Sequence, residues 1–174
     1  SHLFVIIKEK NMLQHVEHGF GPVYDKKSRI LILGSFPSVK SREQAFYYGH
    51  PQNRFWKVLA ALENTEVPQT VEDKKVWLHA HHIAVYDVIE ACDIEGSSDS
   101  SIRNVVPADI GTILTESKVK HIFTNGKTAG KLYLRYQAKS CDLPMTELPS
   151  TSPANAAYTL DKLVAAWKTI VEFL

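Results

Sequence analysis

The chain has 174 residues and a mass of 19.6 kDa, with 44% hydrophobic and 22% charged residues. That suits one domain whose core needs neither disulfide nor metal, and it excludes a disordered tail, a collagen-like chain and a coiled coil. Its 20 Lys and Arg against 19 Asp and Glu leave a formal charge of +1, so any grip on nucleic-acid phosphates must come from a few placed groups rather than a global field.

The opening residues hold a short apolar stretch without the basic leader and small-residue cleavage site of a signal peptide. Residues 1–15 read as an N-terminal extension and residues 16–174 as a single domain. No apolar run reaches the ~20 residues of a membrane span, so the expected location is the cytoplasm, with no membrane partner. Cys92 and Cys141 are too few for a four-thiolate zinc site or an iron–sulfur cluster and read as free buried thiols.

Arg29-Ile30-Leu31-Ile32-Leu33-Gly34 is a continuous apolar run stopped by glycine, which predicts a strand covered on both faces. Residues 35–49 follow as a long polar and aromatic loop. Pro51 is predicted to open a helix, since the first helical position needs no N–H. Phe55, Val58, Leu59 and Leu62 give that helix one apolar face. Thr70 to Asp73 reads as a capping box opening a second helix to about His79. Residues 83–88 are a second strand, and residues 95–101 a Gly/Ser/Asp loop.

Pro107-Ala108-Asp109 is predicted to start another helix. Residues 119–124 are a third strand, ended by Asn125-Gly126, and Ala129, Leu132, Tyr133 and Tyr136 mark the next helical face. Residues 145–148 form a short strand before a hydroxyl-rich loop. Leu160, Leu163, Val164, Trp167, Ile170, Val171 and Leu174 make one long final stripe.

This alternation predicts an α/β three-layer sandwich, with a mainly parallel four-stranded central sheet between helical layers. In such folds ligands bind at the carboxyl ends of the strands. The rule selects Gly34 onward, Asp87 onward, Asn125-Gly126 and residues 150–155.

At the first of these, Gly34-Ser35-Phe36-Pro37-Ser38 fits a bland turn as well as a binding loop. Further on, Tyr47-Tyr48-Gly49-His50-Pro51-Gln52-Asn53-Arg54-Phe55-Trp56 places two tyrosines before a helix start. Tyrosine faces stack on planar bases, and an amide in the first turn could orient a water. Phe55 and Trp56 read as core, and Asn53 equally as a helix cap. Pro149-Ser150-Thr151-Ser152-Pro153-Ala154-Asn155 carries three hydroxyls ahead of a helix. Hydroxyls, backbone N–H groups and a helix dipole favour a phosphate, though an ordinary capped helix entry has the same composition. His79, His81 and His82 read as a solvated helix end rather than a metal site, and His15 and His18 are equally weak ligands.

Together, the strand ending in Gly-x-x-Pro-Ser, the block Gly-His-Pro-Gln-Asn-Arg-Phe-Trp-Lys and the block Ser-Thr-Ser-Pro-Ala-Asn resemble the uracil-DNA glycosylase superfamily. The hypoxanthine-DNA (deoxyinosine) glycosylase branch is the nearest in pattern, and the likeness covers about residues 18 to 174. In the mismatch-specific relatives an asparagine that positions the attacking water stands where this chain has Phe36. The hypoxanthine branch uses a later asparagine, which matches Asn53. Where the superfamily's second motif often has a base-contacting histidine and a leucine wedge, this chain has Ser150 and Ala154.

The resemblance implies a monofunctional DNA base-excision glycosylase that flips a deaminated base out of the helix and hydrolyses its N-glycosidic bond. Asn53 is the expected catalytic residue. Gly34, Ser35, Phe36, Tyr48 and Asn125 are expected to bind the base; Lys40, Ser150, Thr151, Ser152, Pro153, Ala154 and Asn155 are expected to hold the DNA backbone. Asp87 is the alternative water activator. The expected partner is DNA with a deaminated base, with no metal or organic cofactor and no need of more than a monomer. A mismatch-type uracil-DNA glycosylase and an inactive nucleotide-binding module of the same fold are the competing readings.

Overall fold

The computed structural model describes residues 12–174. Most of the assigned N-terminal extension therefore lies outside the described residues. Its last two residues, Gln14 and His15, begin the first strand, β1 (Gln14–Glu17).

The central sheet contains β2 (Ile30–Gly34), β3 (Ile83–Asp87), β6 (His121–Asn125) and β7 (Met145–Leu148). All its pairings are parallel, in the order β3-β2-β6-β7. The apolar run of β2 sits second from the edge, and Ile30, Leu31, Ile32 and Leu33 are fully buried. Such a strand has no polar face because helices flank the sheet.

Between the strands run α1 (Val39–Gln44), α2 (Phe55–Leu62), α3 (Val71–Ala80), α4 (Gly111–Glu116), α5 (Lys127–Tyr136) and α6 (Leu160–Trp167). Helices α2 and α6 pack on each other, with Phe55 edge-on to the fully buried Trp167 at 6.0 Å. The Trp167 indole N–H donates to the Pro149 carbonyl at 2.9 Å, which ties α6 to the loop after β7. The apolar stripe continues beyond α6 as a 3₁₀ turn over Lys168–Phe173.

Several expectations are corrected. Residues 35–49 are not all loop: α1 lies among them, capped by Ser38, whose hydroxyl accepts the Ser41 N–H at 3.2 Å. Pro51 does not open a helix. The chain turns at residues 51–52 and α2 starts at Phe55. Its first N–H groups are satisfied from outside the helix, Arg54 by the Thr151 carbonyl and Phe55 by the Asn53 side chain.

Pro107 likewise does not start a helix. It closes β5 (Arg103–Pro107), opposite Ile89, at a sheet edge that tolerates a missing donor. β5, β1 and β4 (Ile89–Ile94) form a second, antiparallel sheet in the order β1-β4-β5. That sheet was not foreseen. β5 is mostly exposed and lacks apolar alternation, and β4 follows β3 after the single residue Val88.

Candidate active site

Three in-register positions end the parallel strands. Gly34 pairs with Asp87 on one side, and on the other Leu33 pairs with Thr124, which brings Asn125 to the next step beside Gly34. Gly34 is the gap in this row. A Cβ there would lie 2.4 Å from Asp87 Oδ1 and 3.0 Å from the Tyr48 hydroxyl. Gly126, at φ 98°, lets the chain turn into α5 while Ser150 approaches, its Cβ 3.0 Å from where a side chain would begin. The last loop is thereby drawn over the strand ends.

The row floors a cleft of about 240 Å³. Of the residues singled out in the sequence, the cleft brings together Gly34, Ser35, Phe36, Tyr48, Asn53, Asp87, Asn125, Ser150, Thr151, Ser152 and Pro153.

Asp87 is buried, and its Oδ2 lies 2.7 Å from Nε2 of the buried His18. Nε2 faces a carboxylate oxygen and so carries a proton. The imidazole sits among Phe20, Tyr86 and Tyr47 at ring distances of 4.5, 5.0 and 5.6 Å. The other carboxylate oxygen leans over Gly34 at the cleft floor.

Tyr48 holds a left-handed backbone, φ 51°, unusual for a side chain of its size. One ring face stacks on Phe55 at 4.0 Å, and the half-buried ring lines the cleft. Its hydroxyl is buried and makes no close hydrogen bond, but the Asn125 amide faces it. Burial, with the Asp87 charge second, pushes the phenol well above its usual range and keeps it protonated. Phe36 is 7% exposed, edge-on to His18 at 6.2 Å with the Arg42 guanidinium 5.8 Å from its ring centre, so it forms a wall with little free face.

Asn125, Thr151 and Asn53 are joined by hydrogen bonds. Thr151 N–H donates to Asn125 Oδ1 at 3.0 Å, Asn125 Nδ2 donates to Thr151 Oγ1 at 3.0 Å, and the Thr151 hydroxyl donates to Asn53 Oδ1 at 2.8 Å. Asn53 Oδ1 also accepts the Phe55 N–H at 3.0 Å. Asn53 is therefore both a cap for α2 and part of the cleft.

The DNA-contact expectations separate. Lys40 is on α1, 3.5 Å from Glu43, and is not among the cleft residues. Ala154 and Asn155 also lie off the cleft, and the Asn155 amide donates to the Ser150 carbonyl at 3.0 Å. Thr151 is fully buried, so its hydroxyl is turned inward instead of toward a phosphate. The hydroxyls of Ser150 and Ser152 accept the N–H groups of Ser152 and Ala154 at 3.1 and 3.2 Å, leaving each O–H free to donate outward. The loop is not itself the entry to the last helix, because α6 starts only at Leu160, capped by the Thr159 side chain.

Arg54 is an internal clasp. Its guanidinium donates to the carbonyls of Ser152 at 2.8 Å, Asn155 at 3.1 Å and Thr151 at 3.4 Å, and to that of Tyr158. Arg42 is used similarly, donating to the Gly96 carbonyl at 2.6 Å.

Sequence reasoning missed His18, whose partner is 69 residues away and leaves no local signal. It also missed Asp99, a cleft residue whose Oδ1 accepts the Ser35 hydroxyl at 3.0 Å. Desolvation raises the Asp99 carboxyl above its ordinary value. Among the described residues no three His, Cys, Asp or Glu side chains are grouped to hold a metal ion. His79 lies 3.3 Å from Asp25, and His81 lies 3.4 Å from Glu63 with its ring stacked on Trp77 at 4.0 Å. No helix among them is long and apolar enough to cross a membrane.

The family model of the uracil DNA glycosylase superfamily matches residues 22–171. A hypoxanthine DNA glycosylase of Methanosarcina acetivorans is 31% identical over 157 residues, covering 89% of this chain and 98% of the relative. One from Methanosarcina barkeri is 31% identical over 117 residues, covering 66% and 74%. The solution structure of a candidate uracil DNA glycosylase from Methanosarcina acetivorans superposes with a TM-score of 0.75 at 29% identity, covering 91% of this chain and 99% of that one.

Proposed function

The chain belongs to the uracil-DNA glycosylase superfamily, and from that premise we propose that it is a DNA glycosylase acting in base-excision repair. It releases a deaminated base, hypoxanthine before uracil, by hydrolysing the N-glycosidic bond. The observation that carries this reading is the convergence of Tyr48, Asn53, Asp87 and Asn125 on one cleft at the strand ends. The preference for hypoxanthine rests on the names of the two Methanosarcina relatives.

A base inside a duplex is out of reach, so the nucleotide is flipped into the cleft; deaminated bases pair badly and cost less to extrude. The flipped base lies against the open face of the Tyr48 ring, with Phe36 as the facing wall. Backbone N–H groups of Ser35 and Phe36 face its carbonyl and stabilise the charge that builds as it departs. The sugar then carries oxocarbenium character, and attack on it needs an oriented water more than a strong base. Asn53 holds that water. Because its Oδ1 already accepts from Phe55 and Thr151, it holds the water by donating from Nδ2.

Asp87, as the alternative water activator, is less well placed. Its Oδ2 is bound to His18 and its Oδ1 leans over Gly34, so its charge favours the cationic sugar and the base edge from the cleft floor. Ser150 and Ser152 donate to the phosphates flanking the flipped sugar. The enzyme works as a monomer in the cytoplasm and needs no metal or organic cofactor.

Single-turnover release from duplexes holding hypoxanthine, uracil, xanthine or an undamaged base tests the reading. Hypoxanthine is expected first, with Asn53→Ala losing about a hundredfold or more in rate but still binding lesion DNA. Uracil release without hypoxanthine release would reject the base preference. Lesion binding with no release by the wild type would instead favour an inactive binding module.

A further inference from the structure

Thr151 has no exposed surface although it belongs to the cleft's last loop. Two backbone donors fix the orientation of the amides beside it. Phe55 N–H points at Asn53 Oδ1 and Thr151 N–H points at Asn125 Oδ1, both at 3.0 Å. A backbone nitrogen can only donate, so these two atoms are the amide oxygens. Asn125 then meets Thr151 Oγ1 with an N–H, and the single hydroxyl proton of Thr151 goes to Asn53 Oδ1. The bonds run in one direction, from Asn125 to Thr151 to Asn53. Turning either amide over would set donor against donor. What remains for the cleft is the Asn53 amide NH₂ and the second N–H of Asn125, which faces the Tyr48 hydroxyl at the cleft wall.

We propose that Thr151 is a positioning residue that fixes this donor polarity and thereby sets discrimination between deaminated bases and their undamaged parents. The inference rests on the glycosylase reading above. Across Gly34 from Asn125 stands the Asp87 carboxylate, an acceptor. A donor amide beside an acceptor carboxylate matches a base edge with a carbonyl next to a ring N–H. Hypoxanthine has that edge, and so does uracil. Adenine and cytosine present the reverse, an amino donor next to a bare ring nitrogen. They would meet donor with donor and lone pair with lone pair, leaving buried polar groups unpaired. Deamination is the swap of that amino group for a carbonyl, so the locked polarity reads the damage itself.

Thr151→Val keeps the side-chain shape and removes the hydroxyl, whereas Thr151→Ser keeps the hydroxyl. Two readouts apply to the full chain: single-turnover release of hypoxanthine and of adenine from otherwise identical duplexes, and the side-chain amide resonances of Asn53 and Asn125 in the free protein. In the wild type one Asn125 amide proton exchanges slowly. Thr151→Val lowers hypoxanthine release at least about tenfold, narrows the hypoxanthine-to-adenine ratio and loses the slow proton. Thr151→Ser restores all three.

A valine variant with the wild-type ratio overturns the proposal, as does a serine variant as impaired as valine while both unfold like the wild type. If the valine variant does not fold, the serine variant and the wild-type amide spectrum still decide, because an Asn125 amide exchanging both protons freely overturns the lock. A wild type that releases no base removes the glycosylase reading and the discrimination with it. The amide resonances report the lock separately.

Discussion

His18 Nε2 lies 2.7 Å from Asp87 Oδ2, and both side chains are almost closed to solvent. The contact joins the segment after β1 to the end of β3, and so braces the cleft floor against the second sheet. Removing the imidazole strands a carboxylate in the interior. His18→Leu is expected to lower the unfolding free energy by about 3–5 kcal/mol in a urea titration. Asp87→Asn keeps an acceptor for the Nε2 proton and is expected to retain most of the stability while losing base release. Wild-type release by Asp87→Asn would reduce Asp87 to an anchor.

Gly34 tests the floor from the other side. A methyl group there would start 2.4 Å from Asp87 Oδ1 and 3.0 Å from the Tyr48 hydroxyl. Since His18 holds the carboxylate, the strain moves to Tyr48 or to the strand end. Gly34→Ala is expected to cost about 1–3 kcal/mol of stability and to slow hypoxanthine release about tenfold or more. Unchanged single-turnover kinetics would show that the base does not reach this floor.

His121 gives the fold an acid sensitivity. Its ring packs on Phe123 and Phe173 at 4.5 and 4.4 Å, with Nε2 2.8 Å from the Thr146 hydroxyl. Burial lowers its pKa from the ordinary 6.5. The unfolded chain then binds the proton more readily than the folded one, so this contribution is complete above pH 6.5 and is lost as pH falls below it. Denaturant unfolding at pH 7.5 and 5.5 is expected to show a larger loss for the wild type than for His121→Phe. The paired comparison cancels exposed groups such as His15, which hydrogen bonds to Glu17 and Asp93 raise in the opposite direction.

The two thiols should react unequally. Cys92 is fully buried, and burial pushes its thiol up to about 11, whereas Cys141 is half-buried. At pH 8 a thiol reagent is expected to label Cys141 first and to reach Cys92 only on unfolding. Equal labelling rates in the native protein would contradict the packing of β4.

The parallel sheet was legible because its strands announce themselves. Ile30 to Leu33 and Ile83 to Val85 are uninterrupted apolar runs, and the rule that ligands sit at their carboxyl ends led directly to Gly34, Asp87 and Asn125. The antiparallel sheet was not legible. β5 is largely exposed, and Pro107 carries a helix-start signal that its edge position cancels. Within the cleft, residue types could be named but not their inner partners. Arg54 looks like a surface cation in sequence, and Thr151 like a phosphate ligand. Both are committed to bonds roughly a hundred residues distant, a separation that no local pattern encodes.

The carbonyl cradle around Arg54 bears on how this surface meets a flexible polymer. A loop of residues 151–158 with two of its first three positions serine and proline would ordinarily sample many shapes. With its carbonyls gathered onto one guanidinium, its freedom is surrendered when the chain folds, at roughly 1–2 kcal/mol per residue. Little is then left to lose on contact with the proposed duplex substrate, so that association is docking onto a fixed edge more than mutual ordering. On the proposed glycosylase reading, scanning of undamaged DNA is then brief and repeated, with the slow conformational work confined to the nucleotide being turned out.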